Sequence, residues 1–237
     1  MSEARSNHVA VIKRYLKSRE DSEIVYRGYP FVTFSRQSGV GAHVLARTIL
    51  EEMDRVEDHE PFRGWEMFDQ TVCALVAQDK DLNGYFETLV SEEYRSEIHQ
   101  YVYEMIIGKS EQYEAYKRIF EVVRILGTIG KALIIGRGSS YVTSDMPNGI
   151  HIRLIASEPW RLKNMLTELD TTSEKEARKV MYNRDRDRER LVKDFFTKDI
   201  NDPLNYAAIF NVEHYDTQHL ARIIIGMIRE KAEQLRA

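Results

Sequence analysis

Residues Lys131-Ala132-Leu133-Ile134-Ile135-Gly136 make a continuous apolar run closed by a glycine. A strand with one face in water alternates apolar and polar side chains. An unbroken run this short instead fits a central strand buried on both faces, as in a parallel sheet covered by helices. The other segments agree with that frame. Strands are expected from Phe31 to Phe34, near Trp65–Phe68, over Ile150–Ala156 and over Ala207–Val212. Between them, Val44, Leu45, Ile49 and Met53 share one helical face, and Asp69 is placed to cap a helix over Gln70–Gln78. Ser157-Glu158-Pro159-Trp160 opens a further helix, with proline in its first turn. Ser173 and Glu176 form a capping box for a long helix reaching Phe196, and Leu220, Ile223, Ile224 and Met227 predict the inward face of a last helix. Alternating strands and helices imply a doubly wound α/β domain, with ligand sites at the carboxyl ends of its strands.

Two regions stand apart from this alternation. Val9, Ile12 and Leu16 sit at helical spacing in the first 30 residues, predicting a short amphipathic helix that packs on the body or on a second subunit. Residues 79–124 are helical in periodicity throughout, with Leu82, Phe86, Leu89, Val90, Ile98, Tyr101, Val102, Met105 and Ile106 as the apolar positions, and read as an inserted, mobile helical subdomain.

The 237 residues, 43% hydrophobic and 30% charged, are enough for a substantial core and argue against wholesale disorder. A net charge of −4 argues against a broad nucleic-acid surface, so any anion site must come from local clustering of cations. A single cysteine, Cys73, excludes an internal disulfide and a multi-cysteine metal site, which suits a cytoplasmic location; within the run Val72–Val76 it reads as packing. No apolar run approaches the roughly 20 residues that cross a bilayer, and Met1–Lys17 does not look like a secretory leader.

The chemistry is expected at three places. Between the first strand and its helix lies Ser35-Arg36-Gln37-Ser38-Gly39-Val40-Gly41-Ala42-His43. Such a turn aims backbone N–H groups at a phosphate, and the helix N-terminus adds partial positive charge. The complete motif, G-x-x-x-x-G-K-[ST], places lysine and a hydroxyl after its last glycine, where this chain has Ala42 and His43. Arg36, a planar five-donor cation, stands in for the lysine or else is a surface arginine paired with an acid. Arg137, between Gly136 and Gly138 at the end of the buried run, projects into the ligand crevice of an α/β fold. In Asn183-Arg184-Asp185-Arg186-Asp187-Arg188-Glu189-Arg190, helical phase puts Arg184 and Arg188 on the stripe of Met181, Leu191, Val192 and Phe195, whereas Arg186 and Arg190 point away. A solvated helix face is the alternative for this run; inward cations instead require a polar cleft and an anionic partner such as a polyphosphate.

Together with Phe68-Asp69, Ile135-Gly136-Arg137-Gly138, Ala156-Ser157-Glu158-Pro159-Trp160-Arg161, Asp187-Arg188-Glu189-Arg190 and Asp202-Pro203-Leu204-Asn205-Tyr206, the loop resembles the cytidylate kinase-like family of the P-loop nucleoside monophosphate kinases, from Phe31 to the end. The resemblance implies a five-stranded parallel P-loop-type sheet, a helical acceptor-binding insert at 79–124 and an arginine-rich lid over 174–200. It implies ATP and magnesium as cofactors, the magnesium mostly water-coordinated with no protein metal ligands, and a nucleoside monophosphate such as CMP or dCMP as acceptor. The resemblance carries over Arg137, Asp187 and Arg190 as contacts of the monophosphate or the transferring phosphate, and the reading of the residues adds the others. Arg36, Arg184, Asp187, Arg188 and Arg190 fall to catalysis, Ser35, Ser38, Gly39, Val40, Gly41, Ala42 and His43 to the donor nucleotide, and Asp69, Arg137 and Arg161 to the acceptor. The missing lysine and hydroxyl keep a second reading open, a non-catalytic nucleotide sensor of the same fold. A third, an RNA-contacting arm, is opposed by the interleaved acids and the net charge.

Overall fold

The computed structural model describes residues 9–15, 29–56, 61–79, 84, 92–105 and 111–237. Five strands, β1 (Phe31–Arg36), β2 (Glu66–Phe68), β3 (Ala132–Ile135), β4 (Gly149–Ile155) and β5 (Ala208–Asn211), form one sheet in the order β2-β3-β1-β4-β5 with every pairing parallel. All four residues of β3 are buried, as its unbroken apolar run requires, and its neighbour β1 is buried over its first five. Alternate β1 residues feed two different cores. Phe31 joins Phe68, Ala132 and Ile134 in one cluster, while Val32 and Phe34 join Leu133, Ile135, Ile150 and Ile152 in the other.

Helices cover both clusters. On the Phe31 side lie residues 9–15 (α1), α3 (Gln70–Gln78), α4 (Glu92–Met105), α5 (Glu111–Ile129) and the single-turn α6 (Ser139–Val142); on the Val32 side lie α2 (Ala42–Asp54) and α9 (Thr217–Arg236). Ile12 and Tyr15 of α1 are fully buried, and the Tyr15 hydroxyl donates to the Gly130 carbonyl at 2.8 Å, so the apolar face of this helix packs on the body. Phe120, Val123 and Leu126 of α5 are also fully buried with the sheet residues, so the second half of the 79–124 region is a covering helix of the sheet itself. Leu16, Leu82, Phe86, Leu89, Val90, Ile106 and residues 57–60 lie outside the described residues.

Local signals set most helix ends. Asp69 Oδ1 accepts the Thr71 and Val72 amides at 2.8 and 3.0 Å and starts α3. Ser157 caps α7 (Glu158–Glu168), and Ser173 caps α8 (Glu174–Phe196). The expected capping box is altered at α8. Ser173 Oγ accepts the Glu176 amide, but the Ser173 amide donates to Thr171 Oγ1, whose hydroxyl donates to Glu176 at 3.4 Å; the threonine has inserted itself between the two halves of the box. The last strand stops at Asn211, one residue short of the expected Val212, because the Asn211 side chain caps a 3-10 turn over Val212–His214. In α9 the fully inward positions are Leu220, Ala221, Ile224, Ile225 and Ile228, with Ile223 and Met227 only half-buried, a rotation set by packing on α2. No described helix is long and apolar enough to cross a membrane.

Candidate functional site

The β1 and β3 carboxyl ends open into one pocket. It is lined by Ser35 and Arg36 at the end of β1, by Gly136, Arg137, Gly138, Ser139 and Ser140 following β3, and by Arg188, Leu191 and Val192 from α8. Three arginines from three separate elements therefore meet at one place. Their supports differ. Gly136, Arg137 and Gly138 have successive φ values of 80°, 59° and 64°, a left-handed turn that glycine adopts freely and arginine does not, so backbone strain at Arg137 aims its side chain into the pocket. A Cβ on Gly136 would collide with the Arg36 guanidinium, and one on Gly138 with Phe196 and Leu191 of α8. The two glycines thus let Arg36 and α8 close on the turn.

The electrostatics are those of crowded cations. Burial, then Arg188 and Arg137, push the Arg36 guanidinium down to about 9, with Asp69 and Asp185 opposing. Among the described residues the Arg36 side chain makes no hydrogen bond or ion pair. Burial also lowers Arg137 and Arg188, opposed at Arg137 chiefly by Tyr116 and at Arg188 by Asp185. Arg137 Nε is buried without a hydrogen-bond partner. Such a cluster is stabilised by an anion and costs energy without one.

The glycine loop lies beside this pocket. Gly39 and Gly41 have φ of 80° and 74°, and Gly41 is the N-cap of α2, whose first-turn amides receive no side-chain cap. The loop is fastened to its surroundings: Gln37 Oε1 accepts the Ala156 amide, Asn164 Nδ2 donates to the Gly39 carbonyl, and a Cβ on Gly39 would collide with the Arg161 carbonyl. Ser38 is buried, its amide donating to Asp185 Oδ1 at 2.7 Å and its Oγ accepting from Arg188 Nη1 at 2.7 Å. Arg161 Nη1 reaches the other oxygen of Asp185 at 2.5 Å, and Arg188 Nη1 reaches Oδ1 at 2.8 Å.

The remaining expected site residues fall into three groups. Val40 and Ala42 point into the core beneath the loop, so only their backbone faces the cradle. Ser35 Oγ accepts from Arg153 at 2.8 Å and from the Tyr206 hydroxyl at 3.1 Å, which ties it to a polar network rather than leaving it free in the pocket. His43 Nε2 lies 3.4 Å from Asp69 Oδ2. Burial works against the Asp69 carboxylate, but the hydrogen bond to His43 and the Val72 and Thr71 amides outweigh it and bring it down to about 2. On α8, Arg184 and Arg188 are half-buried, and Arg186, Asp187 and Arg190 are exposed, as the helical phase predicts. Arg184 pairs with Glu168 at 2.5 Å. Asp187 and Arg190 therefore stand apart from the pocket that holds Arg188.

Sequence reasoning passed over two groups. Arg153, 4% exposed, donates to Ser35 and to Asn201 Oδ1 beside the pocket; a charge within the apolar β4 run was its signal. Asp185 lay hidden in an alternating charge run. Its signal was phase, since it follows Met181 by four and precedes Arg188 by three, on the same inward stripe. Cys73 is fully buried, and burial pushes its thiol up to about 12, which suits packing.

The sequence matches the model of the cytidylate kinase-like family over residues 31–214. The chain belongs to the cytidylate kinase-like family. Its sheet, flanked by helices, is the architecture expected of that family's P-loop-type kinship. No curated protein matches it. Its structure is similar to the crystal structure of an uncharacterized protein from Eubacterium ventriosum, with a TM-score of 0.63 at 17% identity over 85% of this chain and 99% of that one, a likeness of fold.

Proposed function

We propose that this cytidylate kinase-like protein transfers a phosphoryl group from ATP to a small acceptor, with CMP and dCMP the first acceptors to test. The observation that carries this reading is the convergence of Arg36, Arg137 and Arg188 on one pocket beside a glycine loop and an uncapped helix N-terminus. In it, residues 35–43 are a degenerate Walker A loop whose amides hold the donor phosphates, and Arg36 takes the part of the lysine. Arg137, on its strained turn, binds the acceptor phosphate, with Asp69 and Arg161 alongside. Helix α8, within residues 174–200, is the lid. Arg188 reaches in from it, and Arg184, Asp187 and Arg190 engage as the lid shifts over bound nucleotide. Residues 79–124 supply the acceptor wall.

Phosphoryl transfer forms a P–O bond to the acceptor oxygen as the P–O bond to the leaving diphosphate breaks, and it asks the protein mainly for alignment and positive charge around the equatorial oxygens. Guanidinium groups provide both, because their planar donors hold oxygens bidentately. Among the described residues no group of three His, Cys, Asp or Glu side chains could hold a metal ion. Asp69 spends its oxygens on amides and His43. A magnesium ion is thus expected to ride on the donor's phosphates, which would hold it with water.

A second reading is favoured by His43, which stands where the magnesium-binding hydroxyl would be and is paired with Asp69: the same site binds nucleotide as a sensor without turnover. A coupled assay with ATP, magnesium and a panel of nucleoside monophosphates, run beside calorimetry, separates the two. Turnover lost in Arg137→Ala supports transfer, binding without turnover supports the sensor, and no binding of any nucleotide overturns both.

A further inference from the structure

The Asp185 carboxylate sits where the glycine loop would hold an oxyanion. One oxygen accepts the Ser38 backbone amide at 2.7 Å and Arg188 at 2.8 Å, and the other accepts Arg161 at 2.5 Å. This is the donor set a phosphate group would use: a loop amide and two guanidinium groups, one of which, Arg188, also donates to the Ser38 Oγ at 2.7 Å and is thereby held against the loop. The carboxylate is no surface ornament. Its side chain is 17% exposed, and the Arg161 side chain beneath it is 8% exposed, with Nε buried and lacking a hydrogen-bond partner. The contact spans most of the domain in sequence, fastening α8 to the loop after β1.

We infer that Asp185 is the specificity-determining residue of this site, an internal surrogate anion that an incoming phosphoryl group must displace. The inference rests on the nucleotide-binding reading above and adds what that reading lacks, a reason for the site to prefer one class of anion. A monoanion such as acetate or a phosphodiester offers the donors no more charge than Asp185 already does, and Asp185 is tethered, so the exchange is unfavourable. A di- or trianionic phosphate end, as in pyrophosphate or a nucleoside triphosphate, brings more charge to the same guanidinium groups and to Arg36 and Arg137 next to them. Displacement also releases α8 from Ser38, so binding and helix movement are one event.

Calorimetry with inorganic pyrophosphate and with acetate, on the wild type and on Asp185→Asn, tests this. The amide keeps an acceptor for Ser38 but removes the competing charge, and pyrophosphate affinity is expected to rise about tenfold or more, a change equivalent to about 1.4 kcal/mol. Equal or weaker pyrophosphate binding by the variant overturns the inference and makes Asp185 a positioning residue for Arg161 and Arg188. Acetate binding as tightly as pyrophosphate to the wild type overturns it as well. Absence of pyrophosphate and ATP binding in both proteins is a different result, the failure of the nucleotide-binding reading. Should the variant unfold, carbodiimide labelling of the wild type decides: Asp185 is expected to be amidated faster with saturating pyrophosphate than without, and an unchanged or slower rate refutes displacement.

Discussion

Replacing Arg36 by methionine should make the protein more stable while destroying its affinity for phosphates. The guanidinium is charged at neutral pH in both the folded and the unfolded chain, but burial, Arg188 and Arg137 bring it to about 9 in the fold. From an ordinary value above 12, at about 1.4 kcal/mol per pKa unit, the fold carries about 5 kcal/mol of unfavourable charge at this position. Water entering the pocket screens part of it, so a gain of roughly 2 kcal/mol is expected for a side chain of similar length that keeps the packing on Gly136. For a chain of this size that corresponds to a rise of about 4–8 °C in Tm. Because the folded value is depressed, the unfolded chain holds the proton more tightly above pH 9. The penalty is thus constant below about pH 9 and fades as pH rises past it, and the advantage of Arg36→Met should shrink in the same window. Urea denaturation of both proteins at pH 7.5, in a buffer free of multivalent anions, measures the difference, and repeating it with pyrophosphate shows whether only the wild type gains stability from the ligand. A methionine variant equal to or less stable than wild type without ligand would refute the reasoning, because Arg36 would then be an ordinary structural cation.

Gly136→Ala places a Cβ against the Arg36 guanidinium at a φ of 80°, and should cost about 1–3 kcal/mol and abolish pyrophosphate binding by calorimetry. Burial pushes His151 down to about 4, with Lys231 adding to the effect and a Thr143 backbone hydrogen bond opposing it. The unfolded chain therefore protonates first as pH falls below its ordinary 6.5, and stability should drop by about 3 kcal/mol between pH 6.5 and 4, a loss that His151→Gln removes from the denaturation profile. Phe120, fully buried and in ring contact with Tyr116, Phe195 and Phe196, should cost about 3–5 kcal/mol when truncated to alanine, read by chemical denaturation.

The frame was legible wherever a local pattern had one physical outcome. The unbroken run at 132–135 predicts a doubly buried strand and is one, Asp69 before an apolar run is placed to cap and does, and the phase of α8 sorts Arg184 and Arg188 from Arg186 and Arg190. Legibility failed where partners come from distant chain. Nothing near Ser35 announces that Arg153 and Tyr206 will claim its hydroxyl, and nothing near Asp185 announces the Ser38 amide, because each contact joins segments more than a hundred residues apart. Thr171 displacing half of the capping box is a local failure of another kind: the Ser173 amide had two acceptors within reach, the Glu176 carboxylate and the Thr171 hydroxyl, and spacing alone favoured the wrong one.

The family match begins at residue 31, yet α1 lies wholly before it and sends Ile12 and Tyr15 beneath the sheet, where Tyr15 meets the Phe68 ring edge-on at 4.9 Å between centroids. The homologous span and the cooperative folding unit are thus different lengths of chain. A recombinant fragment cut at the family boundary would begin life with an unfilled aromatic socket next to β2, and would report on a damaged domain. Recombinant protein made for crystallisation or biophysics should therefore retain the segment upstream of β1, even though that segment lies outside the family's signature.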